Sequence, residues 1–84
     1  AMDTAFLMEQ MELRESLAEA REAADRHARL ESLRQRVEED FEARTALLRA
    51  RFAENSEPAR RQARNLVREM QFLQKLAREV EELE

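Results

Sequence analysis

The sequence predicts an all-α fold, an antiparallel three-helix bundle, on three observations. Its 84 residues include no glycine and one proline, 40 % are charged, and Ala, Leu, Glu and Arg predominate, a composition of helices packed on one another that leaves no segment for a strand. Apolar residues recur at three- and four-residue spacing in three separate stretches, the helical period. The connections between them are short, so successive helices are antiparallel neighbours in an up-down-up order. A chain of this length makes one small domain, 1–84, burying about 60–65 % of its unfolded surface and stable by roughly 4 to 13 kcal/mol.

The first helix starts at Asp3 or Thr4, either of which suits an N-cap, and its core stripe runs Phe6, Leu13, Leu17, Ala20, Ala24. Continuing that phase reaches His27 or Ala28, then Glu31, Gln35 and Glu38, which are mostly polar. A new stripe begins at Leu30 and follows Leu33, Val37, Phe41, Leu48 and Phe52. The phase break predicts a turn at 23–27 with Asp25 as a candidate cap. Length requires it too, because an unbroken helix from 4 to 54 is about 75 Å long and the remaining chain covers half of it. The second boundary is Ala53-Glu54-Asn55-Ser56-Glu57-Pro58, turn formers followed by a proline suited to a first helical turn. The third helix carries Ala59, Ala63, Leu66, Met70, Leu73, Ala77 and Val80 as its core stripe, with Phe72, Leu76 and Leu83 on a flank.

Leu7, Met8 and Met11 fall outside the core arc of the first helix, on a side continued by Glu12, Glu15 and Glu19. Two readings compete. The three residues either widen the buried face of a helix wedged between two others, or form a docking surface, for which methionine's adaptable side chain is suited. Three helices do not wrap the far side of one member, which favours docking. Glu12, Glu15 and Glu19 stand at three- and four-residue steps, a like-charge arrangement costing about 0.2 to 0.5 kcal/mol per pair; a solvated face is the plain alternative. Phe72 is either loose core or an extension of the Leu7/Met11 side.

Charge is distributed unevenly. Residues 1–20 hold Asp3, Glu9, Glu12, Glu15 and Glu19 against Arg14, a net −4, whereas 21–53 sum to +1 and 54–84 to −1. An acidic helix with spare apolar residues steers toward a basic partner. Arg60, Arg61, Arg64 and Arg68 are flanked by Glu57 and Glu69 in an acidic chain, so they are expected to form a solvated face paired to acids of the second helix, without a nucleic-acid partner.

The absence of cysteine removes disulfides and thiolate metal sites; one histidine, His27, makes no multi-histidine site and is expected at the surface. Carboxylate acid–base chemistry needs a pocket that raises one pKa, which a convex helix does not offer, so neither enzyme activity nor a cofactor is expected. No apolar run reaches the roughly 20 residues of a membrane span and no export signal is visible, so the expectation is a soluble, intracellular, cytoplasmic protein. Ala1-Met2 reads either as a tag remnant and added start, which makes the chain an excised domain, or as a genuine terminus.

Asp3-Thr4-Ala5-Phe6-Leu7-Met8-Glu9-Gln10-Met11-Glu12-Leu13-Arg14-Glu15, with Ala28-Arg29-Leu30-Glu31-Ser32 and Gln71-Phe72-Leu73-Gln74-Lys75-Leu76, resembles the C-terminal domain of HscB, the J-type co-chaperone of bacterial iron-sulfur cluster assembly. The likeness spans Asp3 to about Leu83; the stretch 18–28 departs from the pattern and holds an extra residue. The resemblance implies a three-helix bundle that binds the scaffold protein IscU, which a separate J domain presents to the Hsp70-type chaperone HscA. It places scaffold contacts at Leu7, Met8, Met11, Glu12, Glu15, Glu19 and Phe72. Met11 stands where the family typically has Leu, a swap that conserves volume. The chain has no His-Pro-Asp triplet, so by this resemblance it does not stimulate an Hsp70 alone. The isolated domain is expected to be monomeric; the alternative is a self-associating helical bundle with a structural role.

Overall fold

A computed structural model describes residues 3–84; Ala1 and Met2, a tag remnant or a genuine terminus, lie outside the described residues. Helix α1 spans Thr4–Glu22, α2 Arg26–Glu54 and α3 Glu57–Leu83, and no strand occurs among the described residues. The all-α antiparallel three-helix arrangement matches the expectation.

Each helix end has a local cause. Asp3 caps α1, its side chain accepting from the Ala5 amide at 3.2 Å. The turn lies at 23–25, and Asp25 precedes α2 without a side-chain cap bond because its carboxylate instead accepts from Arg29 Nε at 3.0 Å. Asn55 ends α2 in the left-handed region, φ 49° and ψ 48°, which asparagine tolerates better than most residues. Ser56 Oγ accepts from the Ala59 amide at 3.2 Å, and Glu57 and Pro58 occupy the first turn of α3, where a carboxylate meets the positive end of the helix dipole. Arg26 closes the opposite end: its guanidinium donates to the Leu83 carbonyl at 2.8 Å and the Arg21 carbonyl at 3.3 Å, satisfying orphan acceptors in the last turns of both α3 and α1.

The core joins Leu13, Leu17 and Ala20 of α1, Leu30, Leu33 and Val37 of α2, and Leu73, Leu76 and Val80 of α3. Several side chains depart from the expected stripes, and of these Phe41, Leu66, Met70 and Ala77 are half-buried rather than buried. Ala24 is exposed in the turn rather than in the core. Leu76, placed on a flank by its phase, is fully buried, because α3 packs against two neighbours and its buried arc is wider than one stripe. Phe52 is 61 % exposed, and Leu48 is only half-buried. The reason is length: α1 has 19 residues, α2 29 and α3 27, so the bundle is three helices thick over only part of the long axis of its 49 × 21 × 15 Å envelope. Beyond the level of Arg44 and Glu69, α2 and α3 continue as a two-helix arm sealed by the small residues Ala59 and Ala63.

Candidate functional site

At 100° per residue, Leu7, Met8, Met11, Glu12, Glu15 and Glu19 share an arc of about 140° on α1, opposite Leu13 and Leu17. The structure leaves that arc to solvent. Leu7 is 45 % exposed, Met8 59 % and Met11 72 %, and the three carboxylates are exposed. None of these glutamates forms an ion pair among the described residues, whereas Glu9, on the α2 side, does. The widened-core reading of the three apolar residues is thereby removed. Ala18 and Glu22, also exposed, belong to the same arc and were not singled out from sequence.

Phe72 is placed differently. It is half-buried on the α3 side of α1, where its ring meets Phe6 edge-on, centroids 5.8 Å apart and planes at 90°. The two rings are bracketed by guanidiniums, Arg44 lying 5.0 Å from the Phe6 centroid and Arg14 5.5 Å from that of Phe72, favourable cation–π distances. Each arginine is anchored in turn. Arg44 donates from Nε to Glu69 at 2.8 Å and from Nη2 to Glu9 at 3.3 Å, and Arg14 Nη1 sits 2.8 and 2.7 Å from the two carboxylate oxygens of Glu79. This ladder fixes the N-terminal half of α1, and therefore its outer face, against the α2–α3 hairpin. Phe72 is part of that support and also borders the face, beside Arg14.

Glu9 is the strained member. Partial burial pushes its carboxyl above the usual carboxylate range, the neighbouring Asp40 acts in the same direction, and Arg44 opposes both. A carboxyl whose folded pKa is raised contributes stability that is present at acid pH and lost as pH rises through the folded value. Glu9→Gln is therefore expected to melt no lower than the parent at pH 7, and the difference should shift in the parent's favour as the pH falls toward 4; circular-dichroism melting curves across that range check it.

The basic residues of α3 also depart from expectation. Arg60 and Arg64 pair with Glu57 of their own helix, both at 3.4 Å, rather than with acids of α2. His27 is exposed in the first turn of α2, as expected. Among the described residues no group of three His, Cys, Asp or Glu side chains is arranged to hold a metal ion, and no helix is long and apolar enough to cross a membrane. The α1 face is convex, and its chemistry is that of contact: apolar area bordered by fixed negative charge.

No solved structure matches the chain. Residues 2–81 match the family model described as the HSCB C-terminal oligomerisation domain, which covers nearly the whole sequence and all seven residues discussed above. The three-helix fold, the outward apolar-acidic face of α1 and this match lead to one conclusion: the chain belongs to the family of HscB C-terminal domains, non-catalytic modules of a co-chaperone.

Proposed function

We propose that this domain binds the iron-sulfur scaffold protein IscU through Leu7, Met8, Met11, Glu12, Glu15 and Glu19, with Phe72 at the edge, for delivery to the Hsp70-type chaperone HscA by a J domain of the same co-chaperone. The observation that carries the reading is the coincidence of three large exposed apolar side chains and three unpaired carboxylates on one helical arc. A monomeric surface does not keep such a group without use, because burying each large apolar side chain is worth roughly 1.5–3 kcal/mol. Apolar contact supplies most of the affinity, and the carboxylates orient a basic partner and speed its approach. With so few anchors the interface is small and its lifetime short.

The test is titration of isotope-labelled domain with unlabelled scaffold, following backbone amide shifts. Shifts are expected on the outer face of α1 and around Phe72, with little change in the turn at 23–25. Shifts centred on the arm, or none at scaffold excess, would overturn the assignment.

A further inference from the structure

The two-helix arm carries an apolar groove with a basic rim. Phe52 of α2 and Val67 of α3, both exposed, wall a shallow cavity of about 400 Å³ whose lining is completed by Ala63, Arg60, Arg64 and Arg68. Ala63 is small and buried, so the floor admits the close approach of another helix. Over residues 45–68 six arginines stand against Glu54 and Glu57, a net +4, whereas the rest of the chain sums to −8. Positive charge is thus concentrated around this groove. The acids of the arm are already engaged, since Glu54 pairs with Arg51 and Glu57 is shared between Arg60 and Arg64. Arg68 has no carboxylate partner among the described residues, so the rim keeps guanidinium capacity for carboxylates from elsewhere.

The spacing of the rim selects the shape of the occupant. Arg60, Arg64 and Arg68 follow one another at four-residue steps, a row about 12 Å long on one side of α3. Carboxylates at four-residue steps on a second helix repeat at the same interval of about 6 Å, so a helix laid along the groove presents one acid to each arginine while its apolar stripe covers Phe52 and Val67. A nucleic-acid backbone would answer the arginines and leave both apolar side chains in water. From this complementarity we infer that the arm groove docks an acidic amphipathic helix belonging to a protein other than this chain. The groove is separate from the outer face of α1. Val67 stands about 140° around α3 from Phe72, the residue that meets Phe6 of α1, so the groove and α1 lie on different sides of the α2–α3 hairpin. A consequence, which rests on the scaffold assignment of the α1 face, is that the domain holds scaffold and acidic helix together and bridges them.

The probe is a synthetic helical peptide of about four turns with leucines at i, i+4 and i+7 and glutamates on either side of them, beside a copy in which lysine replaces each glutamate. Titrated into isotope-labelled domain at low salt, the glutamate peptide is expected to shift the amides of Phe52 and of residues 60–68 saturably, to leave those of Leu7 to Glu19 unmoved, and to bind more weakly as salt rises. The lysine peptide should not bind. Phe52→Ala and the double variant Arg64→Glu with Arg68→Glu, all at exposed positions and each first checked for an unchanged helical spectrum, should bind the glutamate peptide at least about tenfold more weakly. No saturable shift at high peptide excess, or equal binding of the lysine peptide, overturns the inference. Binding of duplex DNA or anionic phospholipid vesicles that exceeds peptide binding and ignores Phe52→Ala also overturns it, giving the arginines to phosphate. Movement of the same amides when the domain alone is concentrated overturns it in favour of a second copy. Scaffold-saturated domain should bind the peptide as tightly as free domain does. Peptide binding beside a silent scaffold titration would sink the scaffold assignment and leave the groove assignment standing.

Discussion

Leu13→Ala is expected to cost about 2 to 5 kcal/mol of folding stability. Leu13 is fully buried at the centre of a cluster drawn from all three helices. Removing its isobutyl group forfeits apolar burial and leaves a cavity that neither α2 nor α3 can fill, since Leu73, Leu76 and Val37 are themselves packed to about zero exposure. A domain of this size is stable by roughly 4 to 13 kcal/mol, so the loss is a large fraction of the total. The melting temperature of a domain under 100 residues shifts by about 4–8 °C per kcal/mol, so the variant should melt at least about 8 °C below the parent. Denaturant unfolding followed by far-ultraviolet circular dichroism gives the free energy directly. A loss below about 1 kcal/mol would mean that α1 is not part of the core.

The second large effect separates binding from folding on the same helix. Replacing Leu7, Met8 and Met11 together by alanine is expected to weaken scaffold binding by at least about a hundredfold, because a few central apolar anchors carry most of the energy of a small interface. Stability should move by no more than about 0.5 kcal/mol per site, the usual range for surface substitutions, since the lost side chains touch water more than protein and alanine is a good helix former. Isothermal titration and a melting curve on the same sample decide. A large drop in melting temperature with binding preserved would return the three residues to the core and end the docking proposal. Glu12→Gln, Glu15→Gln and Glu19→Gln should chiefly lower the association rate and its salt dependence.

The contrast between Leu13 and Met11 also shows what was readable in advance. Two apolar populations 100° or more apart on one helix cannot both face one core, so the outer face of α1 followed from spacing. The turn at 23–25 followed from a phase break, although no glycine or proline marks it. Phe52 was misplaced because periodicity reports which side of α2 is apolar, not how far the neighbouring helix extends. Its phase continues that of Phe41 and Leu48, but α1 has ended by then. Leu76 erred the other way, since a helix with neighbours on two sides buries more than one stripe. The Arg44 tie to Glu9 and Glu69 depends on the relative register of three helices, which no single-helix pattern encodes. For Phe72 the sequence left two roles open, and its half-burial against Phe6 and Arg14 combines them.

Arg26 spans two helix ends that are distant in sequence, hydrogen-bonding carbonyls in the last turns of α1 and α3 with one side chain. Helix termini ordinarily fray independently, but here a single rotamer jump frees both at once. Amide protons in the closing turns of the first and last helices should therefore exchange with solvent in step, as one opening unit, while those flanking Asn55 follow a separate clock.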